Sequence, residues 1–227
     1  LYAFYRIRKA SNKEIELVNQ QKNFLLSVTH ELKTPIAATK LQLQTLLKHK
    51  QLDAAQQKEL LTNAVNETNR LNRLIEDVLL ANNADENLVL TKESINLSEL
   101  TEQTVSNYFS DKKAGGTLKI EIEDGIINIA DKLLFPSVII NLTENAFKYS
   151  PEKGSVTVSL KNQDGKINFS VSDSGFGIPE IEKQKIFEKF YRVGNEETRK
   201  AKGTGLGLYI VKKIVEAHNG KIEVTDN

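Results

Sequence analysis

The sequence has no cysteine, no methionine and no tryptophan, and only four prolines and twelve glycines in 227 residues. Without cysteine, disulfides, thiolate zinc sites and cysteine nucleophiles are excluded, which is compatible with a reducing compartment. Scarce glycine excludes a collagen-like chain, and a hydrophobic fraction of 39% excludes a fully disordered one. Charge of one sign is missing too: Lys+Arg 31 against Asp+Glu 30 leaves a net charge of +1. No global excess advertises nucleic acid, so none is expected as a partner, and partners must be read from local sites. No stretch approaches the roughly 20 apolar residues of a membrane span. A P-loop, G-x-x-x-x-G-K-[ST], is also lacking, so a nucleotide would have to be held by other means.

What is present begins with Leu1-Tyr2-Ala3-Phe4-Tyr5-Arg6-Ile7-Arg8-Lys9, aromatics followed by basic residues. That is how the cytoplasmic end of a transmembrane helix reads; an ordinary amphipathic helix start is the alternative. From Asn12 to Asn83 there is no glycine and one proline, and apolar residues recur at three and four, the helical period. One stripe runs Leu25, Val28, Leu32, Ile36, Leu43 and Leu46 or Leu47. A second runs Leu61, Ala64, Thr68, Leu71, Ile75 and Val78. The polar Lys48-His49-Lys50-Gln51-Leu52-Asp53 interrupts them, and Asp53 with Gln56 reads as a capping box. Two such helices form an antiparallel hairpin with one apolar stripe each to hide. Pairing of two copies into a four-helix bundle, a homodimer, is the expected remedy.

After Asn82-Asn83-Ala84-Asp85-Glu86-Asn87 the period changes. Leu118 to Ile122, Val156 to Leu160 and Ile167 to Val171 alternate apolar with polar, as half-buried strands do. Helical stretches intervene at Leu97 to Phe109, Phe135 to Tyr149 and Leu206 to His218, the last stopped by Asn219-Gly220. Strands backed by helices on one face make an α+β sandwich.

Three histidines exist. On a helical wheel His30 lies about 150° from the apolar stripe and is therefore exposed. Thr34, one turn on, shares its face; Glu31 flanks it, and Pro35 weakens the backbone bonding beyond. An exposed neutral imidazole is a nucleophile, and a neighbouring carboxylate can hold its tautomer and accept its proton, although a surface histidine on a helix is most often mere decoration. His49 sits where it complements a helix dipole, and His218 reads as packing or capping.

Three clusters could bind a nucleotide. Asn141 and Asn145 lie four apart on one helix face with Lys148 a turn on, offering amide oxygens to Mg2+ and a cation to phosphate; polar residues on a solvated face are the bland alternative. Continuing the alternation of Ile167, Phe169 and Val171 puts Asp173 on the inward face, beside Ser174-Gly175-Phe176-Gly177-Ile178-Pro179. That aspartate could accept from the amino group of adenine, or simply open a turn. Gly203-Thr204-Gly205-Leu206-Gly207-Leu208 leads into a helix whose amino end suits phosphate. The polar Gly194 to Lys202 before it reads as a mobile lid.

Phe24-Leu25-Leu26-Ser27-Val28-Thr29-His30-Glu31-Leu32-Lys33-Thr34-Pro35 resembles the phosphoacceptor box of the sensor histidine kinases of two-component systems. Asn145, Asp173 to Gly177, Phe187-Glu188-Lys189-Phe190-Tyr191-Arg192 and Gly203 to Leu208 resemble, in order, the N, G1, F and G2 boxes of their catalytic domain. The resemblance covers nearly everything from Lys22 onward. It implies an all-α hairpin forming a dimeric four-helix bundle, followed by an α+β sandwich of the Bergerat type shared with gyrase and the Hsp90 chaperones. The implied division is a juxtamembrane signalling helix over 1–21, a dimerisation and histidine-phosphotransfer hairpin over 22–83, a linker over 84–96 and an ATP-binding domain over 97–227.

The resemblance further implies that His30 is phosphorylated, that Glu31 is its base, and that Thr34 positions water for dephosphorylation of a response regulator. For the cofactors ATP and Mg2+ it implies Asn145 as the metal ligand, Asp173 as the adenine reader and Tyr149 packed on the base. Lys148 and Arg192 approach phosphates, Phe187 and Phe190 anchor the lid, and Gly203, Gly205 and Gly207 wrap the triphosphate. Asn141, Gly175, Gly177, Ile178, Tyr191, Thr204 and Leu206 complete the implied nucleotide site. The implied partners are a second copy, a response-regulator receiver domain and a membrane reached through a preceding segment, so the chain would be the cytoplasmic portion of a bacterial inner-membrane protein. One departure stands out: the family's further Gly- and Phe-rich strand does not follow Lys221-Ile222-Glu223-Val224, and its lack would leave a sheet edge open. A catalytically silent scaffold and an ATP-driven clamp are the rival readings.

Overall fold

The computed structural model describes residues 2–49, 51–84, 88–114, 117–193 and 203–226. The expected lid, Gly194 to Lys202, and Leu1 of the opening pattern lie outside the described residues. The chain divides into two compact units, Leu1–Asn82 with Lys189–Leu206, and Asn83–Glu188 with Gly207–Asn227.

In the first unit α1 spans Tyr2–Lys48 and α2 spans Ala54–Asn83. Pro35 removes the backbone donor that would reach the Glu31 carbonyl, yet α1 runs through it unbroken, with the proline buried. The start of α2 is fixed by the reciprocal pair expected of Asp53 and Gln56. The Gln56 N–H donates to Asp53 Oδ1 at 2.7 Å, and the Asp53 N–H donates to Gln56 Oε1 at 3.1 Å. Arg70 of α2 reaches Glu31 of α1, the pairing that an antiparallel hairpin turning near residue 51 requires. Little of this unit is buried: Ala64 and Ala81 alone in α2, while Leu25, Ile36, Leu43, Leu47, Leu61, Val65 and Ile75 stay exposed. Part of Lys189–Leu206 belongs to the same unit, with the Phe190 ring packed on Phe24 at 4.2 Å between centroids and Arg192 Nη1 3.4 Å from Ser27 Oγ.

The second unit holds β1 (Lys92–Asn96), α3 (Leu97–Ala114), β2 (Leu118–Ile122), β3 (Ile127–Asp131), α4 (Phe135–Tyr149), β4 (Val156–Gln163), β5 (Lys166–Asp173) and α5 (Gly207–Ala217). β4 lies between β2, to which it is parallel, and β5, to which it is antiparallel; β1 and β3 form a separate antiparallel ribbon. The β4–β5 hairpin closes through Asp164 and Gly165, both at positive φ (52° and 79°), as a two-residue turn that follows the strand twist demands. The alternation of β4 buries Val156, Val158 and Leu160 completely. Val105, Phe109, Leu118, Ile139 and Ala146 close over Val156 and Val158, and Ile95, Leu97, Ile126 and Ala130 over Leu160. A hairpin followed by an α+β sandwich is therefore the architecture.

Three details differ from the sequence expectation. α3 continues past Phe109, where the backbone leaves helical geometry (φ −130°, ψ 23°), to Ala114. β1 and β3 were not foreseen, and Lys221 to Asp226 forms no strand, so β5 is an edge of its sheet among the described residues. α5 ends as expected: Asn219 takes φ 61° and the Gly220 N–H donates to the Val215 carbonyl at 2.8 Å. His218 ties this end to β3. Its Nδ1 faces the Ile214 carbonyl at 2.7 Å and must donate, leaving Nε2 to accept the Asp131 N–H at 2.9 Å.

Candidate functional site

His30 stands exposed on α1, on the side away from the apolar stripe. Thr34 is one turn on, and its hydroxyl donates to the His30 carbonyl at 3.1 Å. With its proton so committed, the Thr34 oxygen presents lone pairs outward, an arrangement able to accept from a water. Glu31 is different from both. Its side chain is only 11% exposed, and its Oε2 accepts from Arg70 Nη2 at 3.0 Å. An exposed imidazole, a held carboxylate and an acceptor hydroxyl thus share two turns of one helix.

In the second unit, α4 presents two opposed stripes. Ile139, Thr143 and Ala146 are buried, while Asn141, Asn145 and Lys148 follow the same spacing two residues later, about 200° around the helix. Asn141 is oriented by its Nδ2 donating to the Ser137 carbonyl at 2.9 Å, and its Oδ1 fills the space where any side chain at Gly207 would begin. A side chain at 207 would have to push the Asn141 amide aside. Lys148 Nζ lies 5.0 Å from the centre of the half-exposed Tyr149 ring.

Asp173 ends β5 on the same face as Ile167, Phe169 and Val171, as the alternation requires. Its Oδ1 accepts the Gly175 N–H at 2.8 Å, which fixes the carboxylate at the turn. A Cβ on Gly175 would fall 2.5 Å from that oxygen and 2.8 Å from the Tyr149 carbonyl, so glycine is what allows the turn to fold against the end of α4. Gly177 adopts φ 69°, and Ile178 beside it is half-buried. Sequence reasoning missed how this turn is anchored: the Ser155 N–H donates to Ser174 Oγ at 3.0 Å, and Gly154 leaves room for that hydroxyl. The Pro151-x-x-Gly154 turn was the available signal.

Asn141, Asn145, Lys148, Tyr149, Asp173, Gly175, Gly177, Ile178 and Gly207 all belong to this second unit. Tyr191, Arg192, Gly203, Thr204, Gly205 and Leu206 group with the hairpin unit instead. There the Phe190 N–H donates to the Gly205 carbonyl at 3.1 Å, Gly205 adopts φ 75°, and Leu206 is fully buried. The Leu206 N–H donates to Thr204 Oγ1 at 3.3 Å.

Residues 20–87 match the His Kinase A (phospho-acceptor) domain, and residues 130–227 match the histidine kinase-, DNA gyrase B-, and HSP90-like ATPase family. The catalytic domain of histidine kinase ThkA is 30% identical, with a TM-score of 0.51 over 61% of this chain and 90% of that one. The chain belongs to the two-component sensor histidine kinases. Among curated members of this family, sensor protein KdpD of Clostridium acetobutylicum is 33% identical over 225 residues, 96% of this chain and 25% of that protein. Histidine kinase ThkA in complex with response regulator protein TrrA is 26% identical, with a TM-score of 0.54 over 92% of this chain and 58% of that one. The chain spans less than half the length of the curated sensor kinases it matches first.

Proposed function

We propose that this chain is the catalytic core of a homodimeric kinase that phosphorylates its own His30 from ATP, passes the phosphoryl group to an aspartate of a response regulator, and dephosphorylates that regulator. The exposed His30, with Glu31 beside it on a hairpin that matches the phospho-acceptor family, is the observation that carries this reading. The proposed division is a signalling helix over 1–21, the phosphotransfer hairpin over 22–83, a linker over 84–96 whose last five residues pair as β1 with β3 of the sandwich, and the ATP-binding domain over 97–227. In this reading a segment preceding residue 1 anchors the protein in a bacterial inner membrane, with this portion in the cytoplasm.

The chemistry follows from the groups present. The lone pair of a His30 ring nitrogen forms a bond to the γ-phosphorus, the bond from that phosphorus to the bridging oxygen breaks, and ADP leaves with its electron pair. The proton on the other ring nitrogen passes to Glu31, restoring a neutral phosphorylated ring. Transfer to the regulator runs the other way: an aspartate oxygen bonds to the phosphorus, the N–P bond breaks with its electron pair returning to the ring nitrogen, and the other ring nitrogen regains its proton from Glu31. Thr34 then orients the water that hydrolyses the acyl phosphate. Such transfer needs positioning and charge neutralisation more than covalent machinery.

Asp173 accepts from the adenine amino group, Tyr149 packs on the base, and Ile178 lines it. Lys148, Tyr191 and Arg192 meet the phosphates, and Gly203, Thr204, Gly205, Leu206 and Gly207 wrap them with backbone amides. The Asn145 amide oxygen, with Asn141 behind it, is a hard donor. One such ligand completed by substrate phosphates and water is how Mg2+ is ordinarily held, and glycine at 207 lets the Asn141 amide oxygen close on the start of α5. When bound there, Mg2+ would supply charge neutralisation between phosphate oxygens.

The test mixes a His30→Ala chain with an Asn145→Ala chain and supplies labelled ATP. Acid-labile, alkali-stable label on the His30-containing chain is expected if one protomer phosphorylates its partner; label on wild type but not on the mixture means transfer within a protomer. Release of free phosphate with no protein label from wild type would replace the kinase reading with an ATP-driven clamp. Neither label nor phosphate would leave a scaffold.

A further inference from the structure

The ion pair between Glu31 and Arg70 joins the two helices beside the phosphoacceptor, and its geometry is unequal. The Glu31 side chain is nearly covered at 11% exposure, while Arg70 is 46% exposed. A pair this open to solvent on one side contributes little to stability, because water screens it and two long side chains must be ordered. What it does fix is position. Glutamate has three side-chain torsions, and on the surface of α1 its carboxylate would sample several rotamers. Arg70 Nη2 pins Oε2 at 3.0 Å, leaving Oε1 to take a proton. Glu67 stands one turn back on α2, its Oε2 3.9 Å from Arg70 Nη1, within charge attraction but beyond a hydrogen bond. A planar fork can address two carboxylates at once; an ammonium is a point charge that can address them only alternately.

Resting on the reading of Glu31 as the proton acceptor, we propose that Arg70 is a positioning residue for autophosphorylation, holding the Glu31 carboxylate from the facing helix so that it stands ready beside His30. The device makes the reaction depend on the register of α1 against α2. A rotation or slide of one helix relative to the other would part Arg70 from Glu31 while leaving His30 exposed, so a signal arriving along α1 could alter the rate without touching the nucleotide.

The test is a cycle on the full chain: wild type, Arg70→Ala, Glu31→Gln and the double variant, with Arg70→Lys added. Initial autophosphorylation rates are measured against ATP concentration. Arg70→Ala is expected to lower kcat about 10- to 100-fold with KM for ATP within about two-fold, since misplacing a base costs rate and not substrate binding. Arg70→Lys should recover part of the loss. In the Glu31→Gln background, Arg70→Ala should add no further loss. If the two losses multiply instead, Arg70 does not act through Glu31 and the proposal falls while the base reading stands. If Glu31→Gln alone leaves kcat unchanged, the base reading falls and this proposal with it. Sedimentation and helix melting of each variant report folding separately, and a kcat loss that tracks a lost dimer across both Arg70 variants would overturn the positioning role.

Discussion

The two units solve the problem of hiding apolar surface in opposite ways. In the sandwich, Val156, Val158, Leu160, Ile139 and Ile210 are completely buried, and the layers close on one another within a single chain. In the hairpin, Leu25 is 63% and Leu47 81% exposed, and the buried positions of α2 are two alanines. The sandwich has exposed apolar residues too, such as Ile127 and Ile129, but they stand outside a core that is already closed. On the proposed reading, the difference teaches that one unit closes its core within a single chain while the other leaves its apolar stripe for a second copy to cover. It also matches the proposed division of chemistry, with Asn145, Tyr149 and Asp173 carried by the sandwich and the acceptor His30 by the hairpin.

The comparison breaks most sharply under substitution of apolar residues. Leu160→Ala should cost about 2–5 kcal/mol of folding stability, because it removes a fully buried side chain and leaves a cavity. Its thermal transition should fall at every protein concentration. Leu61→Glu with Val65→Glu should instead shift sedimentation from dimer to monomer and abolish transfer between protomers, while ATP binding stays within about two-fold. A hairpin variant that remained dimeric would remove the account of a stripe covered by a second copy.

A smaller effect, confined to the sandwich, is expected at Asp173. A carboxylate accepts from the adenine amino group in any orientation, whereas an amide does so only with its oxygen correctly turned. Asp173→Asn should weaken ATP by roughly 10- to 100-fold, the worth of one charge-assisted hydrogen bond, and leave GTP little changed. Equal loss for both nucleotides would mean that Asp173 does not read the base.

Thr34 sharpens the same contrast on the hairpin side. Its hydroxyl proton is held by the His30 carbonyl, which leaves the oxygen's lone pairs to accept from water, and on the proposed reading it takes no part in attack on ATP. Thr34→Ala is expected to keep autophosphorylation within a few-fold and to lose most dephosphorylation of separately phosphorylated regulator. Parallel loss of both activities would reduce Thr34 to a residue that merely suits the backbone before Pro35.

Legibility followed the strength of local pattern. The hairpin, its capping box, β2, β4, β5, α4 and the end of α5 were readable because period and punctuation agreed there. β1 was not, because Lys92-Glu93-Ser94-Ile95-Asn96 has one apolar residue, and its strand form comes from pairing with β3. β3 misleads in the other direction: Ile127 and Ile129 alternate but point outward, while Ala130 and Asp131 are buried. The stripe positions of α4 and the parity of Asp173 were visible as spacing. The hold of Arg70 on Glu31, across 39 residues of sequence, was not, because it depends on helix register and no local pattern encodes that.

The smallest expected effect lies on the outer face of the sandwich, where charge decorates a closed core. Lys119, through a hydrogen bond at 2.6 Å and its charge, and then Lys161 at 3.4 Å, hold the Glu121 carboxyl below its ordinary value of 4.5. A carboxyl depressed on folding contributes stability that is present above its unfolded value and lost as pH falls through its lower folded value. The Glu121 side chain is 34% exposed, so water and salt screen the contribution. Wild type should therefore melt slightly above Glu121→Gln near neutral pH, and the two should converge as pH falls through the lowered folded value and the wild-type carboxyl takes up its proton. Raising salt to about 1 M at neutral pH should close the same gap, since the screening length then falls to about 3 Å. A gap that widened as pH fell, or that ignored salt, would mean the residue acts through packing and not through charge.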